Sequence, residues 1–127
     1  MSERSSKIKL DGKEYDLVLT TKATKEIAKR YGGLANLGDK LIKNENFEGA
    51  LDEVIWLITL LANQSILIHN LQNPGDKKGL LTEECIELLT TPLDLSEYKV
   101  AIMEAMYKGT KREVESEEPL GEKVKNV

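Results

Sequence analysis

His69 and Cys85 are the only histidine and cysteine in the chain, so any thiol–imidazole pair would have to be built from them. Such a pair needs the imidazole within hydrogen-bond reach of the sulfur, to take the thiol proton. Nothing in their spacing brings the two together, and no acid-rich motif surrounds His69 to orient it. A single cysteine also excludes an internal disulfide framework and a cysteine-built metal site. Carboxylates are more plentiful. Glu83, Glu84 and Glu87 could be read as acid–base or metal-binding groups, but the first two fall in the opening turn of a helix expected from Thr82, where the dipole already accounts for them. Glu117-Glu118 lies in a stretch without apolar periodicity, which would not hold the pair in a fixed geometry. Gly32-Gly33 and Gly75 lack the G-x-G-x-x-G or G-K-[ST] context of a phosphate loop. Lys77-Lys78 is a basic tip only two residues wide. No catalytic residue, metal ligand or cofactor site is therefore expected, and the chain reads as non-enzymatic.

Composition agrees with that reading. The chain has 127 residues, 40% of them apolar and 31% charged, enough for one compact domain under a solvated surface. The net charge of −4 and an aromatic share of 5% argue against a nucleic-acid partner. The charge is uneven. Residues 1–33 carry eight bases and five acids, residues 34–109 six bases and twelve acids, and the remainder is nearly balanced. A basic end and an acidic body allow head-to-tail association between copies, or simply two solvated faces. No apolar h-region follows Met1–Lys7, so no secretory signal is expected. Val54–Leu71 runs eighteen residues without a formal charge, the lower limit of a membrane span. Asn63, Gln64, Ser65, His69 and Asn70 make that costly, and a buried or interface helix is the better reading.

The elements that position these residues follow from turn chemistry and periodicity. Asp11-Gly12 between two alternating segments predicts a β-hairpin over 8–19 with a type I′ turn. Thr20 or Thr21 caps a helix over 21–31, closed by Gly32-Gly33 in a left-handed cap. A short helix with Leu34, Leu37, Leu41 and Ile42 on one stripe is expected over 34–43. Phe47, Ala50, Leu51, Val54, Ile58 and Leu61 define an apolar face of a helix over 47–71, with a bend near Asn63. Residues 73–79 form a loop. Thr82 caps a helix over 82–90, in which Ile86, Leu88 and Leu89 pack and which Pro92 stops. Asp94, with Glu97 three residues on, caps a last helix over 95–108 that ends at Gly109. The fold class is α+β and mainly α: an N-terminal hairpin, then a small bundle of about five helices. Residues 1–7 are expected to be flexible, 8–109 to form one domain, and 110–127 to be a disordered charged tail.

Trp56, Leu57 and Leu60 lie outside the main apolar stripe of the 47–71 helix, and Ile66 and Leu67 lie in its uncharged continuation. Either this helix is central and surrounded, or these five residues bind a partner or a second copy.

One family resemblance adds to this reading. The run "IKLDGKEYDLVLTTKATKEIAKRYGGLANL" combines a strand, a D-G-K-x-Y turn, a second strand ending in Thr and a helix closing on R-Y-G-G. Asp11, Gly12, Tyr15, Tyr31, Gly32 and Gly33 carry it, and "LLTEECIELLTTPLDLSEYKVAIMEAMYKG" matches the closing helical pair. The pattern resembles tail assembly chaperones of tailed bacteriophages and phage-tail-like particles of Gram-positive bacteria. The resemblance implies a protein of the bacterial host cytoplasm that is absent from the mature particle. It would bind the tape measure protein, help recruit tail tube subunits, and need no cofactor, nucleic acid or membrane. A structural tail or head–tail protein and a host regulatory or antitoxin-like interaction domain are the alternatives.

Overall fold

A computed structural model describes residues 5–33, 35–37 and 47–122. Two strands, β1 (Ser5–Leu10) and β2 (Lys13–Val18), pair antiparallel with Leu10 opposite Lys13. That register leaves a two-residue loop. Asp11 (φ 54°) and Gly12 (φ 81°) both take positive φ, the type I′ geometry that matches strand twist. Ile8, Leu10 and Leu17 face inward, while Lys7 and Lys9 face solvent. The strand begins at Ser5, and Ser5 and Ser6 are buried, so residues 5–7 belong to the fold rather than to a flexible leader.

Helix α1 (Thr21–Tyr31) has the expected bounds. Thr20 caps it by accepting from the Ala23 amide at 3.0 Å, and its own hydroxyl donates to Gln64 Oε1. At the far end Gly32 (φ 86°) donates to the Ala28 carbonyl at 2.8 Å. Of the short helix expected over 34–43, residues 35–37 are helical with Leu37 fully buried; the others lie outside the described residues.

Helix α2 (Phe47–Gln72) runs as one continuous helix through Asn63. It is the axis of the fold, packed against β2, α1 and the two helices that follow. Leu57, Ile58, Leu61 and Ala62 are fully enclosed. Its length and apolarity would suit a membrane span; 39% of its apolar window is buried in the fold, and most of the rest is half-buried. The buried Gln64 amide donates to the Leu60 carbonyl at 3.1 Å within that core.

Helix α3 (Glu83–Leu89) is capped by Thr82, which accepts from the Cys85 amide at 3.1 Å. Only Ile86 among the three expected core residues is buried. Leu88 is 75% exposed and Leu89 is also exposed, because α3 meets the core along one narrow edge.

Helix α4 (Pro92–Glu122) starts earlier and ends later than its apolar pattern predicts. Pro92 opens the helix, at the position where a missing N–H costs nothing. The cap is a reciprocal box: the Thr91 amide donates to Asp94 Oδ2 at 2.9 Å and the Asp94 amide to Thr91 Oγ1 at 3.3 Å. Thr91 therefore takes the capping role expected of Asp94, and Asp94 the one expected of Glu97. Gly109 is no terminus either. A Cβ there would come within 3.0 Å of Leu19, so the glycine allows α4 to approach the chain after β2. The helix continues through residues 110–122, expected to be disordered, where Lys, Arg and Glu favour helix without an apolar stripe.

The hairpin register turns the Ser5 and Lys9 carbonyls away from β2. Side chains of α4 meet them: Tyr98 donates to the Lys9 carbonyl, and Lys108 Nζ to the Ser5 carbonyl at 3.0 Å. Ser6 Oγ donates to the Ala101 carbonyl at 2.6 Å. The outer edge of β1 is thus occupied by the helix. The class is α+β, mainly α, as expected.

Candidate interaction surface

The five residues assigned to partner binding do not form one exposed face. Leu57 is fully buried and Ile66 is 9% exposed, so both serve the chain's own core. An off-stripe leucine on a helix covered from several sides is still interior, which corrects the assignment of Leu57. Trp56, Leu60 and Leu67 are half-buried.

Trp56 sits in a polar–aromatic cluster. Its ring meets Tyr31 edge-to-face at 6.0 Å, and the Arg30 guanidinium lies 4.5 Å over it. Arg30 Nε is 3.5 Å from Glu53 Oε1, and the Tyr31 hydroxyl donates to the same carboxylate. Partial burial pushes the Tyr31 phenol well above its ordinary value, with the Glu53 hydrogen bond adding to the shift. The R-Y-G-G sequence thus places its Arg and Tyr against α2 while its first Gly closes α1. Tyr15, opposite Ile8 in the hairpin, packs against the core. Asp11, Gly12, Gly32 and Gly33 work as backbone devices with positive φ.

Asn63 and Asn70 have a part that sequence reasoning missed. Asn63 Nδ2 donates to the Leu81 carbonyl at 2.9 Å, and the Leu81 amide donates to Asn63 Oδ1 at 2.8 Å. Asn70 does the same with Lys78, at 3.0 and 2.8 Å. Each side-chain amide acts as a peptide group of an absent strand. The geometry suits this: seven helical residues and three extended ones both span about 10 Å. His69 Nε2 donates to the Asp76 carbonyl at 2.9 Å, holding the loop that precedes this strap of residues 78–81. The signal was an Asn pair spaced by seven within an uncharged run.

His69 is therefore committed to a loop, and Cys85 to the first turn of α3. Among the described residues, no group of three or more His, Cys, Asp or Glu is arranged to hold a metal ion.

The exposed large apolar side chains lie elsewhere: Leu71 and Leu80 flank the 73–79 loop, and Leu88 and Leu89 on α3 with Leu93, Val100 and Tyr107 on α4 form a second group. The chain between Glu83 and Tyr98 carries five acids and no base. The α3–α4 corner thus combines exposed apolar side chains with acidic ones. No protein-family model matches the chain, and no curated protein or solved structure shows significant similarity to it.

Proposed function

We propose that this chain is a non-enzymatic tail assembly chaperone of a tailed bacteriophage or phage-tail-like particle. It acts in the bacterial cytoplasm, binding the tape measure protein and helping to recruit tail tube subunits. The observation that supports this most is the placement of exposed apolar side chains. A holding protein needs such side chains outside its core, and Leu88, Leu93 and Val100 are each at least 70% exposed. The resemblance of the hairpin and R-Y-G-G segments supplies the identity of the client.

The test is co-expression of the full chain with the tape measure protein encoded beside it. A soluble complex that co-purifies, with the chain absent from finished particles by mass spectrometry, is the expected result. Stoichiometric presence in particles would make the chain a structural tail or head–tail protein. A gene lying beside a toxin, with no tube or tape measure gene nearby, would make it a regulatory interaction domain.

A further inference from the structure

We propose that the outward seam of α4, together with the α3–α4 corner, receives a basic amphipathic helix of another protein. Leu93 and Val100 are each 70% exposed, and Tyr107, one heptad further, is 63% exposed. A spacing of seven drifts only slowly around an α-helix, so the three stay in one stripe. Two heptads make a seam of about 20 Å, a length that a second helix can follow. Leu88, 75% exposed, lies across the Thr90-Thr91 corner from Leu93. At the same corner a cleft of about 250 Å³ is lined by Leu51, Ile55 and Leu95 and rimmed by Asp52 and Glu87. A cleft of that size takes a side chain rather than a cofactor.

Charge selects the partner. Glu83, Glu84, Glu87 and Glu97 are exposed around the corner, and Asp94 is half-exposed. Further along the seam Glu104 is paired with Lys108 at 3.2 Å, and Lys99 is half-buried. The unopposed negative charge therefore collects at the N-terminal end of α4, where a partner's Lys or Arg would be drawn. A second copy supplies a poorer complement. The exposed basic stripe on α1, formed by Lys22, Lys25 and Lys29, has no exposed large apolar side chain among the described residues. Two α4 seams paired antiparallel, with Val100 against Met103, would set Glu97 against Glu104 of the second copy. A partner helix with aliphatic side chains flanked by lysine or arginine meets both requirements.

The surface is independent of the tape measure reading, which it would extend by naming where a client helix docks. Two fluorescent synthetic peptides test it by anisotropy against the full chain. Both carry the same leucine heptads, flanked by lysine in one and by glutamate in the other. The lysine peptide should bind, and the double variant Leu93→Ser/Val100→Ser should weaken it about tenfold or more. Glu87→Gln with Glu97→Gln should weaken binding and flatten its salt dependence. Leu71→Ser, at an 82% exposed position at the end of α2, should leave binding unchanged. All five positions are exposed, and circular dichroism verifies that each variant is folded. The proposal is overturned if neither peptide binds, if both bind alike, or if Leu71→Ser weakens binding as much as the seam variant. It is equally overturned if sedimentation shows a dimer that the seam variant abolishes, since the occupant would then be a second copy. Failure here leaves the co-expression result standing, and the reverse also holds.

Discussion

Tyr31 and Tyr98 each hold a phenol whose ionisation the fold opposes. Burial raises both above the ordinary value of 10.0; Glu53 adds to the shift at Tyr31, and Asp94 and Glu97 add to it at Tyr98. Above pH 10 the unfolded chain releases these protons while the native state keeps them. The native state then binds more protons, so stability must fall as pH rises. Below pH 10 the contribution is fully present. Urea midpoints measured from pH 8 to 11 should therefore decline at the alkaline end, and Tyr31→Phe/Tyr98→Phe should decline less steeply. Lys7, held above its ordinary value by its hydrogen bond to Asp16, acts in the same direction in both proteins. An unchanged slope in the double variant would show that neither phenol senses the fold.

At the scale of elements, the strap over residues 78–81 makes a sharp prediction. Asn63→Ala should expose the Leu81 amide, and Asn70→Ala the Lys78 amide, because each amide loses the side-chain oxygen that accepts from it. Hydrogen exchange at those two amides should accelerate independently, with a stability cost of about 1–3 kcal/mol at the more buried Asn63. Equal protection in wild type and variants would mean that the strap is held by other contacts. This strap shows why some of the fold was legible in the chain and some was not. The type I′ turn, the Thr20 and Thr82 caps and the Gly32 closure are local, and each depends on residues within four of itself. The ends of α4 were misjudged for a different reason. Pro92 and Gly109 have two meanings, and only the Thr91–Asp94 box and the approach of Leu19 decide between them. The pairing of Asn63 with Leu81 was not legible, because the seven-residue spacing of Asn63 and Asn70 acquires a meaning only once an extended segment runs alongside the helix.

For the whole molecule, the question is which apolar residues face inward, and periodicity along one helix cannot answer it. Leu57 falls off the main stripe of α2 yet is enclosed, because β2 and α4 cover sides that a single amphipathic stripe would leave open. Leu93 satisfies no core contact of that kind. Leu57→Ala should cost about 2–5 kcal/mol in urea unfolding, whereas Leu93→Ala should stay within about 0.5 kcal/mol of wild type. Comparable losses at both sites would mean that the α4 seam is part of the core after all. The acidic corner was visible as charge in the sequence. Its association with exposed leucines was not, because Leu88 and Leu89 look equally suited to packing.

The clasp of α4 along the outer edge of β1 joins residues 89 to 103 positions apart. During synthesis the hairpin emerges before α4 and can close on its own turn, but the outer edge of β1 has no cover until about Lys108 emerges. Until α4 follows, the nascent chain therefore presents Ser5–Leu10 as an open strand beside an uncovered apolar helix. Helix α4 is the element that ends this exposure, so a truncation before Tyr98 would yield a sticky fragment rather than a smaller version of the protein.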